Sequence, residues 1–215
     1  MSNVFWSLGI TITGFLLAGC SDPADNVPKS ATTEPKPTAV SVAGGKEYVV
    51  RADSKIGFVG SKVTGSHKGG FTNFSGKFTV ADGKIVGTPT VKIGMQSTWA
   101  DNDRLTGHLK SPDFFDVAKY PVTTFAVTAI EPEGGQQKIT GNLELHGVTK
   151  SVSFPANVKI ADDEVALKAD FAINRKDFNI NYPGKPDDLI RDNVVINLDL
   201  KATPGTARPE DSTVQ

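Results

Sequence analysis

Between residues 56 and 201 apolar and polar side chains alternate with a period of two, in runs too long and too many for anything but antiparallel sheet. Phe74, Gly76, Phe78 and Val80 stand between Asn73, Ser75, Lys77 and Thr79. Ile139, Gly141, Leu143 and Leu145 are interleaved with Lys138, Thr140, Asn142, Glu144 and His146. Val152 to Ile160, Val165 to Ile173 and Val194 to Leu200 repeat the pattern, and Ile56, Phe58 and Gly60 begin another such run. Alternation puts one chemical type on each sheet face. Asp82-Gly83, Glu133-Gly134-Gly135 and Ala161-Asp162-Asp163 separate runs as tight turns do. Segments 84–94 and 121–131 are apolar enough for strands but alternate less cleanly. The count reaches seven or eight strands, most about ten residues or roughly 33 Å long.

Such strands must bury their apolar face, in a sandwich or a barrel. The Cys…Trp…Cys core of an antibody domain is missing. Strand number, strand length and meander-like turns predict an all-β, eight-stranded antiparallel barrel. An interior of that size is either filled or holds one small ligand. Residues 96–120 break the pattern. There Asp101 or Asn102 can cap a short helix over 103–110, closed before Pro112. This helical segment between strands would cover one barrel end, with Trp99 beside it.

The two ends of the chain read differently from the body. Val4 to Gly19 carries no charged side chain. That is short for a bilayer-spanning helix, which needs about 20 residues, and reads as a signal peptide over 1–19. Residues 1–6 lack Lys and Arg, so the amino group is the only positive charge there. Leu17-Ala18-Gly19-Cys20 resembles the bacterial lipobox, which implies acylation of Cys20 with palmitate-type chains and a lipoprotein held on the periplasmic face of a membrane in a bacterial cell envelope. Ser21 after the cysteine, by resemblance to bacterial sorting rules, favours the outer membrane in a double envelope. Residues 20–45 are polar, broken by Pro23, Pro28, Pro35 and Pro37, and predict a disordered tether with a reach of roughly 25–30 Å. The body spans 46–203, and 204–215 reads as a disordered tail.

Chemistry-bearing residues are few. Lys plus Arg is 23 against Asp plus Glu at 24, a net charge of −1, which argues against a nucleic-acid partner. One cysteine excludes an intrachain disulfide and a Cys-rich zinc site. His67, His108 and His146 stand about forty residues apart without metal-ligand spacing, and there is no GxSxG elbow or phosphate-binding glycine loop. Asp101-Asn102-Asp103 begins like a calcium loop but has Pro112 where a bidentate Glu is needed. The expectation is therefore no enzyme, no metal and no cofactor. Arg104 and His108 lie at helical spacing, Arg175 follows a strand end, and Arg191 opens the last strand. Two readings stand level: they hold the polar head of an amphiphile, or they are salt-bridged supports for loops.

Three blocks of sequence resemble the YceI-like family of lipid-binding proteins. The first is Asp103-Arg104, His108-Leu109, Ser111-Pro112-Asp113-Phe114-Phe115-Asp116 and Lys119-Tyr120-Pro121, with Phe125 after it. The second is Gly141-Asn142-Leu143-Glu144-Leu145-His146-Gly147-Val148-Thr149-Lys150. The third is Asn174-Arg175-Lys176-Asp177-Phe178. Gly69-Gly70-Phe71 and Phe74-Ser75-Gly76 fit as well. Two positions depart: Asp103 precedes Arg104 where the family places Asp after it, and Asn179 stands where Gly is common. The resemblance implies a lipocalin-like barrel whose lumen takes a polyisoprenoid, an isoprenoid quinone or a related lipid. Expected wall residues are Phe58, Phe78, Phe125, Leu143, Phe154, Phe171, Ile173 and Leu198, with Arg104, His108 and Arg175 at the mouth. The expected partners are that lipid and the membrane reached through Cys20. A non-catalytic envelope scaffold with a filled core, and an enzyme acting at the barrel mouth, are the alternatives.

Overall fold

The computed structural model describes residues 21–38 and 44–205. Its strands are β1 (Ala31–Thr33), β2 (Lys46–Val50), β3 (Lys55–Lys62), β4 (Gly65–Phe71), β5 (Phe74–Ala81), β6 (Lys84–Gly94) and β7 (Thr98–Ala100). Helix α1 (Asp103–Lys110) follows. Then come β8 (Val122–Glu133), β9 (Gln136–Leu145), β10 (Val148–Ile160), β11 (Val165–Asn174), β12 (Gly184–Lys185), β13 (Asp188–Leu189) and β14 (Asn193–Pro204). Eight of them close a ring of antiparallel neighbours in the order β2, β5, β6, β8, β9, β10, β11, β14 and back to β2. β3 continues the line of β2 along β14, and β4 continues that of β5, so the first two staves are each broken once in the middle.

The imperfect alternation of 121–131 has a local cause. The β8–β9 register shifts between Val127 and Ala129. Thr123, Phe125 and Val127 line the interior before the shift and Ile130 after it. A bulge inserts one residue and resets which parity faces inward.

The up-and-down path sorts the connections by end. The turns at 82–83, 134–135 and 161–164 lie at one end. The 63–64 and 146–147 turns and the long connections 95–121 and 175–192 lie at the other, which we call the lid end. Helix α1 sits there as the sequence predicts: the Asn102 side chain accepts from the Leu105 N–H at 3.0 Å, and Leu109 is buried beneath it.

The predicted tether is a correction. Residues 22–38 are laid along the barrel wall. Ala24 is buried against Ala172 and Val195. β10 and β11 pair only over 157–160 and 165–168 and then part. The N-terminal arm fills the parting. The Ser30 N–H donates to the Ala172 carbonyl at 2.8 Å, the Ala172 N–H donates to the Pro28 carbonyl at 2.9 Å, and β1 pairs with Ser151–Ser153 of β10. Open strand edges carry unpaired N–H and C=O groups that need partners. Backbone supplies them whatever the side chains are, so no apolar pattern announces it. At the far end β14 takes in Pro204, the first residue of the predicted tail. The signal-peptide and lipobox residues, Cys20 included, and residues 206–215 fall outside the described residues.

Candidate functional site

The inward faces of the barrel enclose one continuous cavity of about 290 Å³, close to the lower end of the usual range for ligand sites. All eight expected wall residues line it: Phe58, Phe78, Phe125, Leu143, Phe154, Phe171, Ile173 and Leu198. The lining is overwhelmingly aliphatic and aromatic, and runs from Val165 and Ile85 near the turn end to Phe114, Ile180 and Ile190 at the lid end.

The tube stays open because its large side chains lean on the wall. Phe154 stacks on Phe171 with ring centroids 3.9 Å apart, and Phe125 tilts against Phe154 at 5.8 Å. Two aromatics lie over glycines of the adjoining strand. A Cβ at Gly69 would come within 2.3 Å of the Phe58 ring, and one at Gly141 within 2.4 Å of the Phe125 ring. A glycine opposite an aromatic gives the ring a shelf along the sheet. With a side chain there, the ring would have to stand in the lumen. Gly141, which occupies an apolar position in the alternation, is thus part of the wall design.

The lid end is closed by the three sequence blocks that carry the family resemblance. His108 on α1 bonds Asp113 at 2.8 Å through Nε2, and its ring meets Phe114 and Tyr182 edge-on near 5 Å. In the β9–β10 turn, His146 bonds the Phe178 carbonyl at 3.1 Å and is flanked by Tyr120. The polar-face strand position expected for His146 is in fact this turn, with φ +52°. Asn179 takes up the left-handed conformation, φ +58°. Asn is one of the few residues besides glycine that accept it readily, so this departure from the family pattern keeps the loop.

Arg175 settles on loop support. It is only 5% exposed, and its guanidinium donates to the carbonyls of Ile180 (2.6 Å), Arg191 (3.1 Å) and Ile190 (3.3 Å), with Asp192 at 3.5 Å. Burial pushes its pKa below the ordinary arginine value, with Asp192 opposing. Its methylene stem reaches the lumen wall while its donors hold the 179–192 loop, so it is not a free head-group ligand. Arg104 lies exposed on α1, outside the cavity lining. His108 is at the rim with a carboxylate partner. The expected mouth trio therefore does not converge. Trp99, placed beside the lid by its sequence position, lies on the outer wall over Gly70, 44% exposed.

Sequence reasoning missed the contribution of the lid loops. Leu109, Phe114, Phe115, Ile180 and Ile190 all line the cavity. Leu109 comes from the short helix α1 and the other four from irregular connections, where no strand periodicity marks an inward face. The apolar pair Phe114-Phe115 in a polar stretch was the available signal.

The YceI-like domain model matches residues 48–202, from within β2 to within β14. The chain belongs to the YceI-like family. It is similar to a UPF0312 protein of Pseudomonas putida strain W619, 32% identical over 152 residues, covering 64% of this chain and 78% of the relative. It is 36% identical over 120 residues to Protein YceI of Salmonella newport, covering 52% of this chain and 62% of that protein. Among solved structures, this YceI-like barrel is similar to Burkholderia cenocepacia BcnA, with TM-score 0.64 and 26% identity over 71% of this chain and 98% of that one. It also shares its fold with a polyisoprenoid binding domain from Saccharophagus degradans, with TM-score 0.62 and 20% identity over 74% and 98% of the two chains.

Proposed function

We propose that this YceI-like protein binds a long, mainly hydrocarbon amphiphile of the polyisoprenoid or isoprenoid quinone class in its lumen, and sequesters or carries it while held on a bacterial envelope membrane through acylated Cys20. The observation that carries the reading is the continuous apolar cavity of about 290 Å³. Burial is the mechanism. Each Å² of apolar ligand surface taken from water contributes about 25 cal/mol, so a prenyl chain exposing a few hundred Å² gains several kcal/mol before the cost of ordering it. This needs no bond to be made or broken, and the reading is non-catalytic. The Saccharophagus degradans domain, described as polyisoprenoid-binding, has the same fold and supports the lipid class. The lipobox-like Leu17-Ala18-Gly19-Cys20 supports the anchor.

Organic extraction of the protein purified from its own membranes, followed by mass spectrometry, tests the reading. A stoichiometric isoprenoid lipid is the expected finding. Recovery of none, together with no uptake of added polyprenol, would leave the scaffold alternative in its place.

A further inference from the structure

Two exposed aliphatic side chains stand together at the lid end. Val63, at the β3–β4 turn, is 55% exposed, and Leu189, on β13, is 50% exposed. They are fastened to one another, because the Val63 N–H donates to the Leu189 carbonyl at 3.2 Å. Next to them Lys62 pairs with Asp188, and Thr64 bonds the same carboxylate at 3.0 Å. Two turn tips are thereby locked into one rim that points aliphatic groups at solvent. Its inner side is part of the lumen: Ile190, the neighbour of Leu189, lines the cavity.

The chain leading to Cys20 arrives at this same rim. Asp22 is nearly buried and accepts from the Ser61 hydroxyl at 3.1 Å, with the Arg191 guanidinium at 3.7 Å. Ser61 is two residues from Val63, and Arg191 is two residues from Leu189. Cys20 lies two residues from the fixed Asp22, a span of at most about 7 Å. An anchor there cannot hold the barrel at the reach of a flexible tether. The opposite end mixes exposed Asp82, Glu131, Glu133, Asp162 and Asp163 with exposed Lys46, Lys84 and Lys159 on its turns and strand ends, so the anchor position and the aliphatic tips, and not charge, set the orientation.

We infer that Val63 and Leu189 form a membrane-contacting rim that seats the barrel lid-end-down on a phospholipid bilayer, so that its lipid passes between bilayer and lumen beneath the β12–β13 hairpin. This rests on the membrane-anchored reading above and adds to it a surface and an orientation. Aliphatic side chains at a loop tip gain by dipping into the interfacial region.

The full chain, processed and reconstituted with vesicles of phosphatidylethanolamine and phosphatidylglycerol carrying brominated acyl chains, provides the test. Val63→Trp, Leu189→Trp and, as a control at the far end, Ile160→Trp are each made in a Trp6→Phe, Trp99→Phe background. Emission at 63 and 189 is expected to fall at least twofold on vesicles, and emission at 160 to stay unchanged. Hydrogen exchange of the unmutated chain on the same vesicles needs none of these substitutions. It should slow at 62–66 and 184–190 and not at 82–83 or 161–164. Vesicle-bound protein without quenching or protection at the rim overturns the orientation and leaves the anchor standing. Protein that does not sediment with vesicles overturns both.

Discussion

The wall glycines make a prediction that separates a hollow lumen from a filled one. Gly141→Ala adds a single methyl group on the inner face. Its carbon would lie 2.4 Å from the Phe125 Cζ and 2.8 Å from the Ala126 carbonyl oxygen. Carbon atoms pack at about 3.5–4.0 Å, so the Phe125 ring must retreat by more than 1 Å, and the only open direction is the lumen. Overpacking of this kind costs about 1–3 kcal/mol. Relief of the glycine penalty in a strand returns roughly 0.5–1 kcal/mol. The net loss in urea unfolding should be about 1–2 kcal/mol, and polyprenol affinity should fall about tenfold because the ring occupies the space. Phe125→Leu alone should cost about 1–1.5 kcal/mol. Combined, the two changes should cost at least ~1 kcal/mol less than their sum, since contacting residues couple, and affinity should return. A Gly141→Ala protein with unchanged stability and affinity would refute the shelf argument. A strictly additive pair would assign the damage to the Ala126 carbonyl and not to the ring.

Three further outcomes follow from single contacts. Arg175→Met leaves the Ile180, Ile190 and Arg191 carbonyls without their donor, and should cost about 2–4 kcal/mol while making the 179–192 loop the first site of limited proteolysis. Ser30→Pro removes the N–H that bonds Ala172. It should free the arm, seen as faster hydrogen exchange at 151–153 and 172, with a stability loss of about 1–3 kcal/mol. The Asp188 carboxyl is held below its ordinary pKa of 3.8 by the Lys62 ammonium and the Thr64 donors. A depressed carboxyl contributes stability that is present above the unfolded value and is lost as pH falls through the folded one. Asp188→Asn should therefore narrow the difference in Tm between pH 7 and pH 3.

The lid end both holds its own loops and completes the cavity lining. The sequence blocks containing His108, His146 and Arg175 hold the connections 95–121 and 175–192 in place by His–Asp, His–carbonyl and Arg–carbonyl bonds. Those connections in turn send Leu109, Phe114 and Ile190 into the lumen and Leu189 out of it. Arg175, the buried cation on the cavity wall, directs its donors to loop carbonyls and away from the lumen.

By itself the sequence determined most of the barrel strands, the inward faces of the cleanly alternating ones, and a short helix capped at Asp101 or Asn102. Period-two alternation, Asp82-Gly83, Gly134-Gly135 and the Asn102 cap are local signals, each acting within a few residues. Phe58, Phe78, Leu143, Phe154, Phe171, Ile173 and Leu198 follow from parity, while Phe125 lies in the less regular 121–131 segment and comes from the family resemblance. Tertiary structure alone decided how the staves close. The parting of β10 from β11, and its filling by residues 28–33, depend on backbone hydrogen bonds that any side chain permits, so a polar, proline-broken segment could carry them unannounced. It also decided that Arg175 turns to loop carbonyls while Arg104 faces solvent, because the partners of a guanidinium are set by which chain segments fold over it and not by its neighbours in sequence.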